Sequence, residues 1–119
     1  MGNNLGYKVL SICLAIIIII TAIVSWSPKA YTPIFSNTAT LDFPSTGAGL
    51  SSDLTITVTG AALNDAVIIG VPNVSIVSTG CFTGWVSSAN TVTVRFSNTD
   101  VLSSLNPASG VFRSTIIKQ

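Results

Sequence analysis

An uncharged apolar run near the start of the chain limits what its first residues can form. The run covers residues 9–26 and is bracketed by Lys8 and Lys29. As a helix it would rise about 1.5 Å per residue and span roughly 27 Å, close to the hydrocarbon thickness of a bilayer. The flanking lysines can extend to the two interfaces. The sequence therefore predicts one transmembrane helix in a lipid bilayer, with a set of anchor residues: Lys8, Val9, Ile18, Trp26 and Lys29.

Other interpretations of the same run remain open. A cleaved signal peptide needs small residues at its cleavage site, and Trp26 and Pro28 make residues 25–30 a poor one. A type IV pilin would be cleaved near Gly6-Tyr7, but such helices usually carry Glu where this chain has Ser11. The charges on the two sides of the run are too similar for the positive-inside rule to predict its orientation.

The pattern of the chain changes after the apolar run. Residues 1–8 are predicted to be a short N-terminal tail, and residues 27–37 are predicted to be a linker because prolines there favour extended backbone. From Thr38 onward apolar residues recur with a period of two. This alternation is typical of strands with one face on a core and one face in water. Residues 38–119 are therefore predicted to be a separate β domain.

About seven short strands are predicted in this domain. Three alternating segments direct an apolar face inward, and the continuous apolar run 66–71 is typical of a central strand. Residues 74–77 are predicted to be a short edge piece. Cys81 is expected to be a buried free thiol and Trp85 a core residue. The predicted fold class is all-β, a small antiparallel β-sandwich or jelly-roll-like domain preceded by one transmembrane α-helix. The inward residues are Ala39, Leu41, Phe43, Leu54, Ile56, Val58, Val92, Val94 and Phe96.

Few side chains in this sequence can carry chemistry. Charged residues make up 8% of the chain, against about 25% in ordinary domains, and there is no His and no Glu. Too few basic residues remain for a patch that neutralises phosphates, which argues against nucleic-acid binding. Without His there is no ordinary triad or zinc site. The chain is therefore predicted to have no catalytic, cofactor-binding or metal-binding residues and not to be an enzyme.

Seven segments of the β region follow one another in a recognisable order. They are Ala39–Thr46, Ser51–Ala61, Gly70–Asn73, Cys81–Ser87, Asn90–Phe96, Asn106–Gly110 and Phe112–Arg113. In this order they resemble a small module of bacteriophage structural proteins, found in fibre, spike and capsid-associated components. The resemblance extends over about two-thirds of the chain, and the order of its segments is more specific than any one of them.

The resemblance implies a self-associating appendage domain, often trimeric, without catalytic residues. The N-terminal run departs from the usual attachment of such modules to a stalk or tail protein. The resemblance and the apolar N-terminal run together predict a membrane-anchored virion structural protein that links membrane to capsid or forms a spike or vertex component. Its expected partners are a lipid bilayer, further copies in a homotrimer, and capsid or other virion proteins. Val71, Pro72 and Trp85 are the predicted self-association residues. The alternative is an exported pilin-like or adhesin-type surface binding module.

Overall fold

The computed structural model describes residues 31–119, which form an antiparallel β domain. This part of the chain contains six strands and a short 3-10 helix at Asn73–Ser75. The strands are β1 Ile34–Leu41, β2 Ser51–Thr57, β3 Ala66–Gly70, β4 Gly80–Ser88, β5 Thr91–Asn98 and β6 Gly110–Ile117.

The strands form two three-stranded sheets that pack as a sandwich. One sheet has the order β1-β6-β3 and the other the order β2-β5-β4, and every pair within them is antiparallel. β1 lies beside β2 and β3 lies beside β4, so the two sheets run together along both edges. Asn37 joins them at one edge, where its Nδ2 donates to the carbonyl oxygen of Thr57 at 2.7 Å.

The core lies between the sheets and is filled by the inward faces that the alternation predicts. Val92, Val94 and Phe96 of β5 are completely buried, which confirms the predicted direction of that strand. Phe43, Phe96 and Phe112 are fully buried at the centre, and the Phe82 ring lies 5.2 Å from the Phe112 ring. Each buried phenylalanine contributes about 1.5–3 kcal/mol of transfer free energy. This aromatic cluster and the buried aliphatic side chains around it form one apolar core that stabilises the domain.

The connections divide between the two ends of the sandwich. Residues 42–50, 71–79 and 99–109 connect strands at one end, which we call the loop end. The opposite end contains the start of β1 and the end of β6, where the amide of Lys118 donates to the carbonyl of Pro33 at 3.3 Å. The chain therefore enters and leaves the domain on the side away from the loop end.

The antiparallel β-sandwich of the predicted fold class is confirmed, but the preceding helix and the jelly-roll alternative are not. The described residues contain no α-helix, and none of their helices is long and apolar enough to cross a membrane. The helix predicted over 9–26, with its anchor residues, lies outside the described residues. A jelly roll is excluded as well, because it needs about four strands in each sheet and each sheet here has three. The period-two pattern predicts strands and cannot specify how many join each sheet.

Strand positions also differ from the expectations. β1 begins at Ile34, inside the range predicted to be a linker, because Ile34 already pairs with Ile117 of β6. The run 66–71, expected to be central, forms the edge strand β3, and Ile68 on its outer side is 56% exposed. Residues 74–77 were expected to be a short edge strand, but they form no strand, and the first two belong to the 3-10 helix.

Two side chains expected in the interior lie on the surface. Cys81 is an exposed free cysteine, and Trp85 is 38% exposed. Both belong to β4, where Phe82 and Val86 are the residues that contribute to the core. Alternation along β4 therefore directs Cys81 and Trp85 outward.

Candidate functional site

The outer face of the β2-β5-β4 sheet contains an ordered cluster of polar and aromatic side chains. Asp53 of β2, Arg95 of β5 and Thr83 of β4 are aligned across the three strands. Trp85 lies in the next row, opposite Thr93. Diagonal neighbours on adjacent strands lie about 7–8 Å apart, a separation that long and aromatic side chains such as Arg95 and Trp85 can bridge.

Arg95 and Asp53 form a two-point ion pair on this face. Nε of Arg95 donates to Oδ1 of Asp53 and Nη2 donates to Oδ2, each at 2.7 Å. These hydrogen bonds hold the pKa of the Asp53 carboxyl below its usual range and raise the pKa of Arg95. The two side chains are 44% and 39% exposed, so the pair contributes little to stability. Its main effect is to fix the plane of the guanidinium.

The fixed guanidinium in turn contacts the indole of Trp85. Cζ of Arg95 lies 4.9 Å from the ring centroid, within the range of a cation–π interaction. Asp53, Arg95 and Trp85 thus form one continuous group, which we call the Trp85 patch. The group positions a partly exposed aromatic ring beside a paired guanidinium and carboxylate.

Hydroxyl groups surround the Trp85 patch. Thr93 donates from Oγ1 to Oγ of Ser87 at 2.8 Å, and the hydroxyls of Ser51 and Ser97 lie 3.0 Å apart. The charged residues on this face are the paired Asp53 and Arg95. The other outward positions of β2, β4 and β5 are small or polar. They are Thr55, Thr57, Cys81, Thr83 and Thr91. This face is therefore polar but carries no net charge.

The outer face of the other sheet is different, because apolar side chains occupy one of its ends. Ile34, Ile117 and Ala66 are aligned across β1, β6 and β3, and Ile68 follows on β3. Ile34 is 63% exposed. We call these four residues the isoleucine patch. Exposed apolar groups clustered across three strands are typical of a surface that contacts another molecule.

A second ion pair lies near the end of β6. Nζ of Lys118 donates to Oδ2 of Asp65 at 2.8 Å and to the carbonyl oxygen of Gly60 at 3.0 Å. The same carboxylate oxygen accepts from the amide of Ala62 at 2.9 Å. The bond from Lys118, followed by that from Ala62, lowers the pKa of Asp65. These bonds hold the 58–65 connection against β6, which is a structural role.

The three predicted self-association residues do not form one surface. Val71 packs against the core. Pro72 lies against the start of β6, where a side-chain carbon added to Gly110 would come within 2.6 Å of its ring. Trp85 lies on the outer face of the β2-β5-β4 sheet. Of the three, Trp85 is the exposed one.

The acidic residues do not gather into a centre for chemistry. Within residues 31–119, no group of three or more His, Cys, Asp or Glu could hold a metal ion. Asp53 and Asp65 are each paired with a base, and Asp100 accepts hydrogen bonds from the amides of Leu102 and Ser103. Those amides lower the pKa of Asp100. Each of these three carboxylates therefore has a local structural partner.

The search for related proteins found no matching family model, no matching curated protein and no matching solved structure. The resemblance to bacteriophage structural modules therefore stays a prediction from the sequence. The fold itself defines a small two-sheet β-sandwich with two distinct outer faces.

Sequence reasoning missed the partners of Trp85. The alternating strands predict that Asp53 and Arg95 point outward, but nothing in the sequence pairs them with each other or with Trp85. The alternation predicts the face of each residue but not which strand lies beside which. The Trp85 patch depends on the β2-β5-β4 order, which the sequence did not reveal.

Proposed function

We propose that this chain is a non-enzymatic structural protein of a bacteriophage virion, in which the β domain associates with further copies of itself. The domain links a membrane to the capsid or forms part of a spike or vertex. Attachment to the membrane, viral or host-derived, is assigned to the apolar sequence 9–26, which lies outside the described residues. The observation that carries the self-association is the isoleucine patch.

The isoleucine patch has the composition expected of a contact between copies. Its side chains are aliphatic, and Ile34 and Ile68 are 63% and 56% exposed. Burying such a side chain contributes about 1.5–3 kcal/mol, before the cost of association is subtracted. The net charge of +1 adds little repulsion between copies. These properties favour contact between identical surfaces over exposure to water.

The location of the patch supports a role in assembly. It includes Ile34, the first residue of β1, so copies joined there bring the starts of their β1 strands together. Several attachment segments in one assembly bind a membrane more strongly than one, without any new contact. A closed ring of identical subunits places several attachment segments in one assembly. A homotrimer is the ring that the phage resemblance implies.

Quantitative mass spectrometry of purified virus particles tests the proposal. We expect the chain at a fixed copy ratio to the major capsid protein. Treatment with a mild detergent that removes lipid then separates two arrangements: loss with the lipid indicates membrane attachment alone, and retention indicates contact with the shell. Detection only in host membranes would refute the virion assignment.

A second candidate function is an exported pilin-like or adhesin-type binding module. The Trp85 patch favours it, since an exposed indole beside a fixed guanidinium is typical of recognition surfaces. The same mass spectrometry distinguishes the two candidates, because an adhesin is found on host cells and not at a fixed ratio to capsid protein.

A further inference from the structure

Trp85 is exposed although the domain has a complete aromatic core without it. Phe43, Phe96 and Phe112 have at most 2% of their surface exposed, whereas Trp85 has 38%. A large indole left on an outward strand position has no packing role in the core. Its exposure therefore calls for a different explanation from the one that accounts for the phenylalanines.

The geometry around Trp85 restricts the motion of the ring. Asp53 holds Arg95 by two hydrogen bonds of 2.7 Å, and Arg95 lies over the indole at 4.9 Å from its centroid. All three residues project from paired strands and not from loops. A surface held in this way loses little conformational entropy when a ligand binds.

The charge of the patch restricts the kind of ligand. The guanidinium is neutralised by Asp53, so an anionic ligand would have to compete with that carboxylate for Arg95. A cationic ligand would meet Arg95 itself. The Nη1 group of Arg95 is not used in the pair with Asp53, and the Asp53 oxygens can accept further hydrogen bonds. The patch thus offers both donors and acceptors without net charge.

The hydroxyl groups around the patch also complement a ligand that is polar and uncharged. Thr83 is aligned with Arg95 and Asp53, and Thr55 lies one row further along β2. Neutral saccharides combine an apolar ring face with many hydroxyl groups. An indole next to mixed donors and acceptors complements both features.

We propose that the Trp85 patch binds a neutral oligosaccharide, with one sugar ring against the exposed part of the Trp85 indole. Nη1 of Arg95 donates to the sugar hydroxyls, and Asp53 and Thr83 accept from them. This activity goes beyond assembly and does not depend on the isoleucine patch or on a virion origin. The β domain then binds copies of itself through the outer face of the β1-β6-β3 sheet and a glycan through the outer face of the β2-β5-β4 sheet.

The test uses the full chain carrying Trp26→Phe, so that Trp85 is the single tryptophan. The protein is kept in a detergent without a sugar head group, since such a head group would compete for the site. It is titrated with neutral glucose-, galactose- and mannose-based oligosaccharides and with an acidic oligosaccharide. Trp85 fluorescence and calorimetry report binding, and we expect a dissociation constant of about 1 mM or below for a neutral member.

Matched variants locate the site. Trp85→Ala is expected to weaken binding at least about tenfold by calorimetry, as loss of a central aromatic anchor does. Thr83→Val is expected to weaken it about threefold, because the variant keeps the shape and removes one hydroxyl. Thr40→Val, at an exposed outward position of β1 in the other sheet, is expected to leave the affinity unchanged.

Three results would overturn the proposal: no binding by any neutral member, binding by the acidic oligosaccharide alone, or an affinity unaffected by Trp85→Ala. If Trp85→Ala lowers the mass of the assembly and no saccharide binds, the patch is a contact between copies. That outcome rejects the glycan site and leaves self-association standing. Absence of the chain from virus particles would reject the virion assignment without affecting the saccharide titration.

Discussion

Asn98, the last residue of β5, and Thr46, in the 42–50 connection, are joined by a buried hydrogen bond although they are 52 residues apart in the chain. Nδ2 of Asn98 donates to the carbonyl of Thr46 at 2.9 Å and to the carbonyl of Ser103 at 2.8 Å. Its Oδ1 accepts from the amide of Asp100 at 2.8 Å. One side chain, 2% exposed, thus satisfies three backbone groups at the loop end. The 42–50 and 99–109 connections are held together through it.

Asn98→Ala is expected to lower the free energy of unfolding by about 2–4 kcal/mol, because it removes three hydrogen bonds, one of them buried and two partly buried. Urea unfolding followed by circular dichroism measures the change. Asn106→Ala, at an exposed position in the same loop region, is the matched control and should change stability by less than about 0.5 kcal/mol. Equal losses in the two variants would show that Asn98 has no special role.

The sequence predicts which strand residues are buried, but it does not predict the hydrogen-bond partners of Asn98. The burial of Val92, Val94 and Phe96 follows from alternation alone, because a period of two directs every second side chain to one face. The partners of Asn98 and of Arg95 depend on contacts distant in the chain, which no local pattern encodes. β3 was misjudged for a related reason, since a continuous apolar run suits both a central strand and an edge strand with an exposed apolar face.

Gly84→Ala is expected to destabilise the domain by about 1–3 kcal/mol, a typical cost of overpacking. A Cβ at position 84 would lie 2.5 Å from a side-chain carbon of Ile69, where β4 meets β3. Gly70→Ala is the matched control, because its new carbon would approach Arg113 no closer than 3.4 Å. Thermal unfolding measures both variants. Adding Ile69→Ala to Gly84→Ala should make the effect of the glycine substitution smaller, and a purely additive double variant would contradict the steric explanation.

The stability of the domain is expected to fall in acid. Hydrogen bonds from Arg95, Lys118 and backbone amides lower the folded-state pKa of Asp53, Asp65 and Asp100. Their contribution is complete above the unfolded-state pKa of about 3.9. It is lost as the pH falls from that value through the folded-state pKa values, because the unfolded chain binds protons first. Urea midpoints between pH 6 and pH 2.5 should show this decrease, and Asp65→Asn should make it smaller. Stability that rises on acidification would contradict the assignment.

Ile68→Thr is expected to weaken self-association, because it replaces an exposed aliphatic group of the isoleucine patch while keeping a β-branched strand residue. Light scattering of the full chain in mild detergent should show a lower protein mass at equal concentration. Val111→Thr is the control, since Val111 is 59% exposed on the same face of β6 but pairs with Thr40, away from the patch. An unchanged mass for Ile68→Thr, or an equal decrease for both variants, would reject the patch as the contact.

Ser114 and Ser75 are expected to respond in opposite directions to replacement by alanine. Both are completely buried, but the hydroxyl of Ser114 has no hydrogen-bond partner, whereas that of Ser75 donates to the carbonyl of Ala108 at 2.6 Å. Removing an unsatisfied hydroxyl relieves a desolvation cost, so Ser114→Ala should raise the free energy of unfolding by about 1 kcal/mol. Ser75→Ala should lower it by about 1–2 kcal/mol, because the buried Ser75 side chain then loses its partly buried hydrogen bond to Ala108. Parallel urea titrations measure both changes. Destabilisation by Ser114→Ala would contradict this prediction.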